Sequence, residues 1–166
     1  MKTMMLLTWL LGCSYERFQK RLDTQEFSHW YALRVYMSDE QRKTYLKLKT
    51  RAERDNYLKK VGLWDRFYKY DESVRAEIIA GEVREGWSRD MLEMSWGAPY
   101  ERQKAIGRQA VRSEKYIYRF EQQEDGVVLL WEPNSKTVYK AVRLFVREVI
   151  IDDDVVVKIS ERDSSW

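Results

Sequence analysis

Few side chains in this protein have distinctive chemistry. Cys13 is the only cysteine and His29 the only histidine. A thiolate is both a nucleophile and a metal ligand, and imidazole is the side chain that most readily carries a proton near neutral pH. No second His or Cys gives either residue the spacing of a zinc site, and no disulfide can close within the chain. Asp152, Asp153 and Asp154 form a row of carboxylates that invites a calcium reading. An EF-hand loop instead alternates its acidic ligands around a glycine and ends on a glutamate. Three consecutive aspartates fit better a solvated turn that discourages strand continuation. No nucleophile–base pair, acid–base pair or phosphate loop is marked by spacing. The expectation is therefore no catalytic residue, no metal ligand and no cofactor.

The position of Cys13 carries more than its count. Lys2 gives a positive start, and residues 4–11 are almost continuously apolar. That run is too short to span a bilayer, which takes ~20 residues, but it suits the apolar region of an export signal. Its end, Leu10-Leu11-Gly12-Cys13, resembles the lipobox of bacterial lipoproteins. The resemblance implies that the Cys13 thiol is joined to diacylglycerol and that residues 1–12 are then removed. Serine cannot replace the thiol in forming that thioether. Two or three acyl chains hold firmly, since each buried methylene contributes ~0.8 kcal/mol and a single chain is marginal. Ser14, by resemblance to the sorting rule of enteric bacteria, favours the outer membrane. The alternative is a buried apolar N-terminal helix in which Cys13 is incidental.

Composition narrows the classes further. The 166 residues are 44% hydrophobic and 34% charged, as in an ordinary folded domain. Thirty basic and 27 acidic residues give a net charge of +3, and no long basic run stands out. That is not the footprint of a nucleic-acid binder. Two prolines and seven glycines leave no extended flexible linker. Seven Trp, eleven Tyr and five Phe supply large rigid rings for a core or for contact points on the surface.

These residues must be positioned by helices in the front half. Tyr15, Phe18 and Leu22 share one face of a helix. After Asp23 the aromatic stretch through Phe27, Trp30, Tyr31 and Tyr36 is less regular and reads as a turn followed by a short helix or extended segment. His29 lies within it and is expected to be packed or half-exposed. Ser38 with Gln41, and Thr50 with Glu53, are capping-box patterns that start two further helices. The second carries Tyr57, Leu58 and Val61, extending toward Leu63 and Trp64. Asp71 can cap another helix through Val74, Ile78 and Ile79, which Gly81 ends.

The sharpest internal landmark spans residues 86–99. Gly86 supplies a tight turn, Ser88 an N-cap and Asp90 a negative charge in the first helical turn. Met91, Leu92, Met94, Ser95 and Trp96 give a broad buried face. Gly97 ends the helix and Pro99 prevents its resumption. This segment resembles the glycine–methionine–threonine to leucine–glycine–proline signature of small outer-membrane assembly lipoproteins of the BamE/SmpA type. Gly86 matches the first glycine, Ser88 the threonine cap, and Gly97 and Pro99 the terminal pair, while Trp87 replaces the usual methionine. Trp87 also makes the segment similar to the GWxTD family of bacterial exported proteins, with Asp90 near the position of that motif's aspartate. In that family a stretch like residues 38–64 lies upstream, including paired charges such as Glu53-Arg54. The resemblances imply a short helix leading into a three-stranded sheet.

Beyond Pro99 the pattern turns to strands. Gly107 precedes an alternation at Gln109, Val111 and Ser113. Residues 115–120, 127–131, 137–149 with an irregularity near Val142, and 150–157 broken by the aspartates also read as strands. The fold expected is α+β: short N-terminal helices followed by a three- to four-stranded antiparallel sheet. Residues 1–12 would be a signal peptide, 13–82 a helical region and 83–160 an α+β domain with the sheet. The resulting functional expectation is a lipid-anchored accessory subunit on the periplasmic face of a bacterial outer membrane. It would bind an envelope protein complex through a sheet edge and exposed aromatics, without catalysis and without nucleic acid. The alternatives are a cytoplasmic interaction domain or a small-molecule- or lipid-binding envelope protein.

Overall fold

The computed structural model describes residues 18, 20–131 and 141–165. Helices come first: α1 (Thr24–Leu33), a 3-10 turn (Arg34–Tyr36), α2 (Asp39–Lys47), α3 (Arg51–Lys60), α4 (Trp64–Tyr68), α5 (Glu72–Ile79) and α6 (Arg89–Trp96). Five strands follow: β1 (Glu101–Lys104), β2 (Ser113–Gln123), β3 (Val128–Trp131), β4 (Ala141–Asp152) and β5 (Val155–Asp163). The protein is thus α+β, with helices preceding a sheet.

Local chemistry sets the helix starts. Ser38 and Thr50 form the expected capping boxes with Gln41 and Glu53. Asp23 and Glu26 form a third, which organises the aromatic stretch into α1. The chain stops and restarts at glycines. After α3, Gly62 takes φ 73, and the Leu63 N–H bonds back to Leu58 O, so Trp64 begins its own helix instead of extending α3. After α5, Gly81 takes φ 76 in the same geometry, with Glu82 N bonded to Glu77 O. Asp71 precedes α5 without capping it through its side chain.

The sheet runs β1-β2-β4-β5, entirely antiparallel, with β3 also pairing with β2. It has one strand more than the upper expectation. The addition is β1, whose Glu-Arg-Gln-Lys sequence carries no β signal. It pairs as an edge strand because Pro99 turns the chain back and Tyr100 N–H bonds to Ile117 O. The alternation at Gln109 and Val111 does not form a strand. Residues 105–112 are a loop, and pairing begins at Ser113. The irregularity at Val142 is real: Gln122 faces Arg143 and Gln123 faces Ala141, leaving Val142 unpaired and exposed. The expected strand residues before Ala141 lie outside the described residues, as do Pro133 and Ser135.

One hydrophobic core runs from Phe18 to Val156. Alternate residues of β2 (Tyr116, Tyr118 and Phe120) are fully buried beneath the helices. Phe120 stacks on Phe145 of β4 at 5.2 Å, and Trp96 of α6 meets Tyr118 and Phe120 edge-on at 5.2 Å. Ile117, Leu129 and Val146 are buried outside that cluster, on intervening positions of their strands. Burial of the large rings is the main source of stability at these contacts.

Candidate functional site

Residues 86–99 tie the helices to the sheet. Gly86, at φ 88, donates its N–H to Val156 O at 2.7 Å. The Val156 N–H returns a bond to Trp87 O at 2.7 Å, and Arg89 N–H bonds to Asp154 O at 2.8 Å. The segment therefore pairs briefly with the start of β5 before becoming α6. Trp87 is buried, with the Arg84 guanidinium 5.6 Å above its ring. Ser88 caps α6 by accepting from Met91 N–H. Gly97 closes the helix at φ 72 and ψ −156, a region essentially reserved for glycine. Its carbonyl accepts from the Tyr118 hydroxyl at 3.1 Å. Pro99 is buried where the chain leaves α6 for β1.

Asp90 is the polar centre of this motif. One carboxylate oxygen accepts from the Tyr36 hydroxyl at 2.7 Å and from Arg66 at 3.0 Å. The other takes Lys69 at 2.8 Å and the Tyr70 hydroxyl at 3.1 Å. Burial acts to raise the Asp90 pKa, but hydrogen bonds from Lys69 and Tyr36 and the charges of Lys69 and Arg66 outweigh it and hold the group below the usual range. Desolvation raises the Tyr36 hydroxyl well above its ordinary value, with Asp90 adding to the effect. Both Asp90 oxygens are thus committed to the 3-10 turn, to α4 and to the turn after it. Glu93, one turn along α6, is pushed up by burial despite Arg102 and Arg89. It accepts from Arg102 at 3.1 Å. Sequence spacing did not mark Tyr36, Arg66, Lys69 or Tyr70. The only hint was that Arg66 and Lys69 stand three apart at the end of a short helix.

The acidic turn has structural work. Asp153 and Asp154 adopt φ 45 and 68, as the central residues of a type I′ hairpin turn do. Asp152 accepts from Arg108 Nε at 2.8 Å and also from Ser113. The Asp153 carboxylate accepts from Arg112 N–H at 2.9 Å, and its own N–H bonds to Arg112 O. Asp154 pairs with Arg89 at 2.9 Å. The three carboxylates thus point to different partners: Asp152 and Asp153 clasp the loop of residues 105–112, and Asp154 reaches α6. That loop presents Ile106 at 90% and Val111 at 98% exposure. The other exposed large hydrophobic side chains among the described residues are Tyr100, Val142 and Val155. Most aromatic rings are therefore taken by the core, and the most exposed apolar surface is aliphatic.

His29 is fully buried between Trp64, Phe67 and Tyr68. Its Nε2 lies 2.7 Å from the Tyr68 hydroxyl and its Nδ1 3.6 Å from Asp55. Burial lowers its pKa, against the pull of Asp55. At 3.6 Å the Asp55 contact is longer than a hydrogen bond, so the hydrogen-bonding contact of the ring is the one between Nε2 and Tyr68. Cys13 lies outside the described residues. No helix among the described residues is long and apolar enough to cross a membrane.

No known family model, curated protein or solved structure matches this chain.

Proposed function

We propose that this protein is a lipid-anchored, non-enzymatic accessory subunit of a bacterial envelope complex, held on the periplasmic face of the outer membrane. The observation that carries this reading is Leu10-Leu11-Gly12-Cys13 behind a short apolar run. Two structural features support it. Phe18 already packs on Trp30 and Tyr45. At ~3.4 Å per extended residue, the core therefore begins within about 17 Å of an anchor on Cys13, close to the bilayer surface. The clasped loop offers the second feature. Exposed aliphatic side chains on an ordered loop are the kind of surface a partner buries. Ile106 and Val111 would enter an apolar pocket on the partner, with Asp152 and Asp153 holding the loop in shape. Asp90 and the three aspartates are each engaged by partners within the protein.

The test is fractionation in the native host of the wild type beside Cys13→Ala and Ile106→Ser/Val111→Ser. The reading expects the wild type in the outer membrane and Cys13→Ala released from it. The loop variant should stay anchored but lose proteins crosslinked to the wild type. Wild type and Cys13→Ala fractionating alike in the soluble pool would reject the anchor.

A further inference from the structure

A groove of about 580 Å³ lies between α1 and α5. It exists because the facing residues are small. Thr24 and Ser28 stand one turn apart on α1, and Ala76 on α5 stands one turn before Ala80 at its C-terminal cap, so the helices leave space between them. Phe67, Tyr68 and Ile79 supply an apolar lining. A cavity of that size lies within the range that holds small organic ligands, about 300–1,000 Å³.

The Tyr68 ring is rigid. Its hydroxyl is held by His29 on one side and by Gln25 Nε2 at 2.9 Å on the other. Trp64 stacks on the ring at 4.5 Å. A surface already locked loses little conformational freedom when a ligand covers it.

Arg75 gives the groove its polarity. Its guanidinium lies 4.9 Å above Tyr68 and 5.7 Å above Phe67, and one nitrogen bonds to the Tyr70 carbonyl. Arg51 and Arg84, by contrast, are taken by carboxylates, Arg51 by Asp23 and Arg84 by Glu77. Arg75 forms no such pair with any described residue, although Glu72 also lines the groove one turn away. The result is a positioned planar cation beside an apolar floor. Guanidinium matches a carboxylate in shape and charge. Glu72 on the rim repels a second negative charge, which favours a ligand with only one.

We propose that the groove between α1 and α5 binds a small hydrophobic monocarboxylate, with its acyl or aryl part over Phe67, Ile79 and Ala76 and its carboxylate on Arg75. This site lies in the helical half and stands independently of whether Cys13 is lipidated.

Isothermal titration of the full chain carrying Cys13→Ala, at pH 7.5, tests the proposal with octanoate, 1-octanol and octylammonium as probes. Octanoate is expected to bind saturably at one site, and the other two at least tenfold more weakly. Arg75→Gln should weaken octanoate by about tenfold or more and bring it level with octanol, while Arg75→Lys keeps part of the preference. Ala76→Phe, at an exposed position on α5, fills the groove and should abolish binding while circular dichroism shows the native fold. The proposal is overturned if octanoate fails to bind the parent chain, if octanol or octylammonium binds as well, or if folded Ala76→Phe binds octanoate unchanged. Equal affinity in Arg75→Gln and the parent would overturn the assignment of the carboxylate to Arg75.

Discussion

The front and back halves of this protein are held by different means. In the sheet, order comes from long backbone ladders, above all β2 against β4 and β4 against β5, covered by a face of aromatic rings. In the helical half, no backbone ladder joins one helix to the next. Their arrangement rests on aromatic packing and on a few buried polar contacts between residues distant in sequence. Glu26 and Arg54, both 3% exposed, show this most clearly. Glu26 closes the α1 capping box through one oxygen and takes the Arg54 guanidinium on the other at 2.8 Å. Arg54 also donates to Leu48 O at 2.8 Å. One ion pair thus fixes α1 against α3 and the turn before it. A ladder spreads its tolerance over many bonds, whereas a buried pair concentrates the consequence of change in two residues.

That contrast predicts the largest effect at Arg54. Arg54→Ala strands the Glu26 charge in the core and should cost about 3–5 kcal/mol in urea unfolding. Replacing both residues by apolar side chains of similar volume should recover much of the loss. If the double variant is no better than the single, the pair is not what orients α1. Gly97→Ala comes next, at about 2 kcal/mol, because alanine at φ 72 and ψ −156 is strained. Its added Cβ meets only the end of Arg34 at 3.9 Å, so conformation rather than crowding sets the cost.

Asp90→Asn should cost about 1.5 kcal/mol at pH 7, by loss of charge-assisted bonds where helices and sheet meet. Here pH gives a second reading. The folded pKa of Asp90 lies below its unfolded value of about 3.9, so the folded state favours the charged form. Its contribution is complete above the unfolded value and disappears as pH falls through the folded one. The gap between wild type and Asp90→Asn should therefore be full near pH 6 and shrink below pH 4. Thr50→Ala, which removes the α3 cap, should cost about 1 kcal/mol. Ile106→Ser/Val111→Ser should change thermal stability least, by about 0.5 kcal/mol or less, since both side chains are already in water.

What could be read from the chain follows the same division. The capping boxes at Ser38 and Thr50 were visible because all their partners lie within four residues. Asp23 with Glu26 has the same pattern, but the irregular aromatic spacing after it left a short helix and an extended segment as alternatives, of which the helix is found. The boundaries of residues 86–99 were visible for the same local reason. The partners of Asp90 were not, since Tyr36 is 54 residues away and is brought there only by packing. Nor could three adjacent aspartates reveal that two of them, Asp152 and Asp153, clasp Arg108 and Arg112, which reach them only through the β2–β4 register. Strand β1 escaped notice because an edge strand needs only a partner with free backbone groups, not β-forming side chains.

The central claim is the anchor on Cys13, and the most direct measurement is the intact mass of the protein extracted from its native host's membranes. The account predicts a chain that has lost residues 1–12 and gained a diacylglyceryl thioether on Cys13, with or without a further acyl group. A mass equal to the unmodified chain beginning at Met1 would contradict it and return residues 1–12 to the folded domain.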